Sequence, residues 1–382
     1  MNKIKPHILI LPRWYPNIQD IQLGIFIKEH ACLMADKYDI SVINVQLNNE
    51  INTNFKIEVN SENGVKEITV YFKALGLFKK WVHFFRYQKA QKKGFGYLKQ
   101  PVDLCHVHVP IRPAFLALKL KRKVSIPFIV TEHWSGHLNG LFKAKSPLYK
   151  AFYNYVLKKA GKITTVSEIL SQKFKDNTGF DSTVIPNYIQ RDLSTLPEHE
   201  LQDFIHVITV SDLYDPTKNL TGLIYGFSEA LSKQDNLRLT IIGGGPDQNK
   251  LEDLVNQLKL ESYITFTGRL NHQDVLKALK KCDFYLCNSN FETFGMTVAE
   301  ALYAGKPVIS TKCGGPEAFV NSENGMLIQV NDEEELPKVI VQMANSYQSY
   351  NGTKISEAIE SKYGKSAVKE SWGNLYEAIL HG

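Results

Sequence analysis

The stretch 283–311 constrains the fold most. Asp283-Phe-Tyr-Leu-Cys287 reads as a short buried strand, residues 288–295 as a polar loop ending in Gly295, residues 296–305 as a short apolar helix, and Lys306-Pro-Val-Ile-Ser-Thr311 as a second strand. A strand-loop-helix-strand unit belongs in an open sheet of parallel strands, where ligands bind outside the carboxyl ends of the strands. Loop and helix carry two acids, Glu292 and Glu300.

The peptide N–H groups of Phe294, Gly295, Met296 and Thr297 fall at the helix start, where unpaired donors and the positive end of the helix dipole favour an anion. Gly295 lets the backbone approach it closely. Glu292 and Glu300, once ionised, only accept hydrogen bonds and so suit hydroxyl groups. A ligand with phosphate in the middle and hydroxyls at both ends is a nucleotide-sugar. The plainer alternative makes Glu300 a solvated helix residue and Glu292 a charge that complements the dipole.

Phe291-Glu292-Thr293-Phe294-Gly295, the spacing of Glu292 and Glu300, Ala304-Gly-Lys-Pro-Val-Ile309 and Cys313-Gly-Gly-Pro-Glu317 together resemble the E-x7-E region of glycosyltransferase family 4. The resemblance implies a retaining enzyme of the α/β GT-B class, with two facing Rossmann-like domains and a C-terminal helix crossing back to the first. On that reading residues 1–190 bind the acceptor, 191–202 form a hinge, 203–364 bind the nucleotide-sugar and 365–382 form the crossing helix.

The resemblance also assigns roles. Thr131-Glu-His133-Trp134 is similar to a strand end whose histidine lies beside the donor sugar, which implies that place for His133, as a cation or N–H donor, with Trp134 at the cleft. The loop 19–24, ending in Gly24, corresponds to one in the cleft. Lys218 corresponds to a lysine on the donor diphosphate; where the family has a companion arginine, this chain has Asp212 within Ser211-Asp212-Leu213. Gly268 and Arg269 lie on the edge that in the family holds the nucleobase, largely by backbone. Glu292, Lys218 and His133 are thus the implied catalytic set. No Asp-x-Asp pair stands out, and neither a metal ion nor another cofactor is expected. His106, His108 and His137 read as structural or rim residues, joined by no metal-ligand spacing.

Composition limits the alternatives. With 382 residues and 43% hydrophobic content there is room for two domains, and no apolar run reaches the length of a spanning helix or a signal peptide, so a cytoplasmic protein is expected. The five cysteines are odd in number and mostly scattered, and read as buried thiols. Net charge is +6, but residues 71–162 hold 19 Lys and Arg against Asp103 and Glu132 alone, a net of +17. Within 72–100, eight Lys and Arg mix with Phe78, Trp81, Val82 and Phe85 at helical spacing, the pattern of a helix lying on an anionic membrane or, alternatively, of an ordinary core helix. Membrane contact would bring the chain to a lipid-linked or envelope glycan as acceptor. Two rivals remain: an epimerase or phosphorylase on the same frame, and a nucleic-acid binder using the basic region, which would leave the second domain idle.

Overall fold

The apolar runs become the strands of two separate sheets. The structure, a computed structural model, describes residues 5–74, 79–189 and 203–381, with the side chains of residues 79–81 outside the description. It divides into two units, Met1–Tyr188 with Lys365–Gly382, and Ile189–Gly364. The expected hinge, 191–202, lies outside the described residues.

The first unit contains β1 (His7–Pro12), β2 (Asp39–Leu47), β3 (Phe55–Glu62), β4 (Val65–Phe72), β5 (Leu104–His108), β6 (Phe128–Glu132), β7 (Lys162–Thr165) and β8 (Thr183–Val184), in the order β3-β4-β2-β1-β5-β6-β7-β8. Only β3 runs antiparallel, paired with β4 as an edge hairpin. Along β1, Leu9 and Leu11 pack on one side of the sheet and Ile8 and Ile10 on the other, so both faces are covered. The second unit contains β9 (Ile205–Val210), β10 (Leu237–Ile242), β11 (Ile264–Gly268), β12 (Phe284–Cys287), β13 (Val308–Thr311) and β14 (Gly325–Ile328), all parallel, in the order β11-β10-β9-β12-β13-β14.

In each unit the strand order reverses beside the first strand, between β1 and β5 and between β9 and β12, and the same device pins both junctions. Asp103, just before β5, accepts the His7 amide at 2.7 Å; Asp283, just before β12, accepts the His206 amide at 2.7 Å. The two histidine rings then bond hydroxyls on the next strand, Ser41 at 2.9 Å and Thr240 at 2.8 Å. Strand-end amides are thereby satisfied at the amino ends of the strands, opposite the edge where a crevice opens.

After the second unit the chain returns to the first as helix Lys365–Leu380, whose Val368, Trp372 and Tyr376 join the core beneath β1. Strand β8 ends at Val184: Ile185 makes one last bond to Thr165, and Pro186 then has no N–H to donate. Within 72–100, helix Lys79–Phe95 buries Tyr87, Ala90 and Gln91, and Phe84 packs edge-on against Phe115. Phe85 instead stays 63% exposed. Among the described side chains this helix packs on the core through Tyr87, Ala90 and Gln91 and leaves Phe85 in solvent.

Candidate functional site

Lys218 and Glu292, 74 positions apart, meet at the carboxyl ends of β9 and β12. Lys218 ends the short helix Asp215–Lys218 that follows β9, and its Nζ lies 2.6 Å from Glu292 Oε1, the side chains being 21% and 17% exposed. Ser289 donates to the same carboxylate oxygen at 2.9 Å. Burial opposes the lysine's charge, but the Glu292 carboxylate outweighs it and holds the ammonium above its ordinary range, so Lys218 is a cation at any physiological pH. Ser211, Cys287 and Thr297 line the same small pocket.

Gly295 caps helix Met296–Tyr303 in the left-handed region, φ 85°, and a Cβ there would stand 2.7 Å from the Pro316 ring, so any other residue is excluded twice over. The Phe294 side chain is buried against Phe319 and Tyr363, which fixes the loop. The first intrahelical bond runs from Ala299 to the Gly295 carbonyl, so the amides of Met296 and Thr297 have no acceptor within the helix. Glu300 is only 5% exposed, against its reading as a solvated residue, and lies 3.5 Å from His272 Nε2. Asn271 caps the helix that presents His272, accepting the Asp274 amide at 3.0 Å. Gly268, φ 72°, ends β11. From there Arg269 lies along Gly244 and reaches Asp212 Oδ1 at 3.1 Å. A guanidinium thus stands beside the aspartate that occupies the family's arginine position.

Gly24, His133 and Trp134 lie in the first unit. Gly24 has φ 66° and passes so close to Trp14 that a Cβ would lie 2.5 Å from its carbonyl oxygen. The turn after β6 is pinned by Glu132, whose buried carboxylate accepts the amides of His133 at 2.8 Å and Trp134 at 2.7 Å and the hydroxyl of Tyr153. His133 is 7% exposed, and burial lowers its pKa to about 4, so of the two forms expected from sequence, cation or N–H donor, it is the neutral N–H donor. Its Nε2 bonds His108 Nδ1 at 2.9 Å, while His133 Nδ1 and His108 Nε2 are buried without a partner. One proton is shared in that bond, so the pair presents one free N–H and one free lone pair, complementary to hydroxyl groups.

His106 and His108 are core residues and not rim residues, and His30, from the first helix, joins them. Nitrogens of the three lie within 4.8 Å of one another. They make a poor metal site. The rings of His106 and His108 lie face to face with a 30° tilt, centroids 4.0 Å apart, so their in-plane lone pairs do not converge, and His106 already bonds Tyr376 at 2.7 Å and Thr131 at 2.6 Å. Sequence reasoning missed His30, Glu132, Ser289 and His272. Only His272 had a local signal, the helix start Asn271-His-Gln-Asp274.

Two doubly wound units, the second with a helix start, a lysine and two carboxylates at its switch point, define a protein of the GT-B class. Residues 198–357 match the glycosyl transferases group 1 family and residues 33–193 match glycosyltransferase family 4. The chain belongs to this family of glycosyltransferases. An uncharacterised glycosyltransferase of Methanocaldococcus jannaschii is 28% identical over 246 residues, 64% of this chain and 66% of that one. The alpha-monoglucosyldiacylglycerol synthase of Acholeplasma laidlawii is 25% identical over 310 residues, 74% of this chain and 77% of that one. The structure of HepE from Anabaena in complex with UDP and glucose shares the fold, with a TM-score of 0.72 at 16% identity over 98% of this chain and 100% of that one.

Proposed function

We propose that the protein transfers a hexosyl unit from a nucleotide-sugar to a hydroxyl of a lipid-linked or envelope glycan, with retention of configuration. The Lys218–Glu292 pair beside the start of helix Met296–Tyr303 carries this reading. Lys218, Arg269 and the amides after Glu292 face the diphosphate, Glu300 with His272 takes the ribose hydroxyls, Glu292 takes the transferred sugar, and the neutral His133 orients a sugar hydroxyl. The bond from the anomeric carbon to phosphate breaks while a bond to the acceptor oxygen forms on the same face, and the acceptor proton passes to the leaving phosphate. Two cations and a helix start supply the charge stabilisation, so the proposed reaction uses no metal ion.

Thermal unfolding against a panel of nucleotide-sugars tests the donor assignment. A donor at about 100 times its dissociation constant should add about 2.7 kcal/mol. Glu300→Gln should weaken that donor's binding, whereas Glu292→Gln should mainly lower turnover. If no donor raises the unfolding temperature, or both variants behave as the wild type, the assignment is wrong.

We further propose that the basic stretch 72–100 holds the protein at the cytoplasmic face of an anionic membrane, near such an acceptor. Among the described residues no helix is long and apolar enough to cross a membrane. Lys89, Lys92 and Lys93 are exposed on the helix that exposes Phe85. Each such cation contributes about 1 kcal/mol at an anionic leaflet. Anionic but not neutral liposomes should co-sediment the protein, salt should release it, and replacing the three lysines by alanine should reduce capture. Absence of capture at low salt would refute the anchor.

A further inference from the structure

The carboxyl ends of β1 and β5 form the switch point of the first unit, the edge at which an open parallel sheet binds ligands. An arginine follows each strand, Arg13 directly after β1 and Arg112 in the segment after β5. The Arg13 amide donates to the His108 carbonyl at 3.0 Å, which ties it to the end of β5. Its guanidinium donates from Nη1 to the Ile111 carbonyl at 3.2 Å and so lies against the peptide bond that leads into Arg112. The segment after β5 is strained: Val109 has φ 56° and Arg112 φ 80°, left-handed conformations that a β-branched or bulky residue rarely adopts. Strain of this kind collects at ligand sites.

Helix Lys79–Phe95 walls this edge. Its Gln91 donates to the Pro113 carbonyl at 3.1 Å, and one turn earlier the Tyr87 ring faces Arg112, with 6.0 Å from ring centre to guanidinium carbon. Tyr87 is 5% exposed, yet among the described residues its hydroxyl has no hydrogen-bond partner, and neither has the Arg112 guanidinium. Burial pushes the tyrosine's pKa up, and the charges of Arg13 and Arg112 pull against it, so both cations lie near the hydroxyl. Among the described residues no carboxylate pairs with either arginine. Of the two acids within 71–162, Asp103 holds the His7 amide at the opposite ends of the strands, and Glu132 holds the turn after β6. Two cations and a buried hydroxyl therefore meet with no acid of the chain to neutralise them, a cost that an anionic ligand removes.

We propose that Arg13, Arg112 and Tyr87 bind a phosphate group of the glycosyl acceptor, which is then a phosphorylated compound, either a soluble polyol or sugar phosphate or a phosphate-linked lipid. Guanidinium forks match phosphate oxygens in pairs, and the tyrosine hydroxyl, coming from another element, adds a further direction of donation. A tetrahedral anion fills such a set better than a planar carboxylate does. Assigning the anion to the acceptor rests on the transfer reading above; the anion site itself does not.

Glycerol phosphate is the probe, titrated calorimetrically into the full chain with UDP present in excess to occupy the donor site. It should bind, whereas glycerol and the carboxylate glycerate should bind far more weakly or not at all. Arg112→Gln removes no hydrogen bond within the protein and should weaken binding about tenfold or more, the loss of one charge-assisted hydrogen bond, and Arg112→Lys should recover part of it. Lys119→Gln, an exposed lysine of the neighbouring helix Ala114–Val124, should bind as the wild type and so exclude a general attraction to the basic surface. Absence of binding, displacement by UDP, equal affinity for glycerate, or unchanged affinity in Arg112→Gln overturns the proposal. Lysophosphatidic acid below its critical micelle concentration separates the two sources: Arg112-dependent binding tighter than that of glycerol phosphate assigns a lipid acceptor, and equal or weaker binding a soluble one. A chain that binds glycerol phosphate through Arg112 but ignores UDP upholds the anion site and counts against the donor reading. One that binds UDP but not glycerol phosphate keeps the donor reading and overturns the anion site.

Discussion

Replacement of Lys218 by alanine is expected to lower sugar transfer on the order of 100-fold or more, the loss that follows removal of one preorganised charge-stabilising donor. The ammonium is already in place. Its bond to Glu292 at 2.6 Å and the raised pKa keep it charged and oriented before any ligand arrives, so little reorganisation accompanies the leaving of a diphosphate. Its removal also leaves the Glu292 carboxylate, 17% exposed, with Ser289 and no cation, so the local potential turns negative where a phosphate must sit. Because Lys218's pKa is raised in the folded state, its ion pair stabilises the fold fully below its unfolded value of 10.5 and is lost only as pH rises through the higher folded value, so assays near neutrality sample the intact pair. Steady-state kinetics with the donor found in the thermal panel provide the check. A change under about threefold would move the charge-stabilising role to Arg269, whose guanidinium already lies beside Asp212.

The second sheet was legible because its signals are local. Gly295 at a loop-to-helix junction and the β-favouring run before it each concern residues within one turn of chain. The pairing of Arg269 with Asp212 was not legible, since it depends on β10 lying between β9 and β11, an order that no local pattern encodes. The histidines of the first unit show the same limit. His106 and His108 are two apart on β5 and point to one face, but what they meet there is His30 from one end of the chain and Tyr376 from the other. Of the two forms read for His133, cation or N–H donor, the sequence could not choose, because the burial that lowers its pKa to about 4 against the pull of Glu132 is a property of the folded unit.

The same histidines make the first unit acid-labile, and this should be the largest effect of pH on the protein. Burial lowers His30 to about 3 and His133 to about 4, and lowers His106 and His108 well below 6.5. A depressed folded value means that the unfolded chain binds protons the folded unit refuses, so stability is intact above about 6.5 and falls as pH drops toward the folded values. Each histidine contributes a slope of about 1.4 kcal/mol per pH unit once its unfolded form is protonated, and four together about 5 kcal/mol per unit. Against a total stability of about 5 to 15 kcal/mol, that is enough to unfold the unit near pH 5. Glu132 adds a separate, lower window: burial raises its pKa, but nearby His137, at 3.8 Å, and bonds from Tyr153 and the Trp134 amide outweigh it and hold it below its ordinary value, so its contribution is lost only below about 4.5. All four tryptophans, Trp14, Trp81, Trp134 and Trp372, belong to the first unit, so their fluorescence follows its unfolding alone. Urea titrations read by that fluorescence should show a midpoint that drops steeply between pH 6.5 and 5; a midpoint that stays level over this range would mean that the histidines protonate in place and that the first unit admits water to its core.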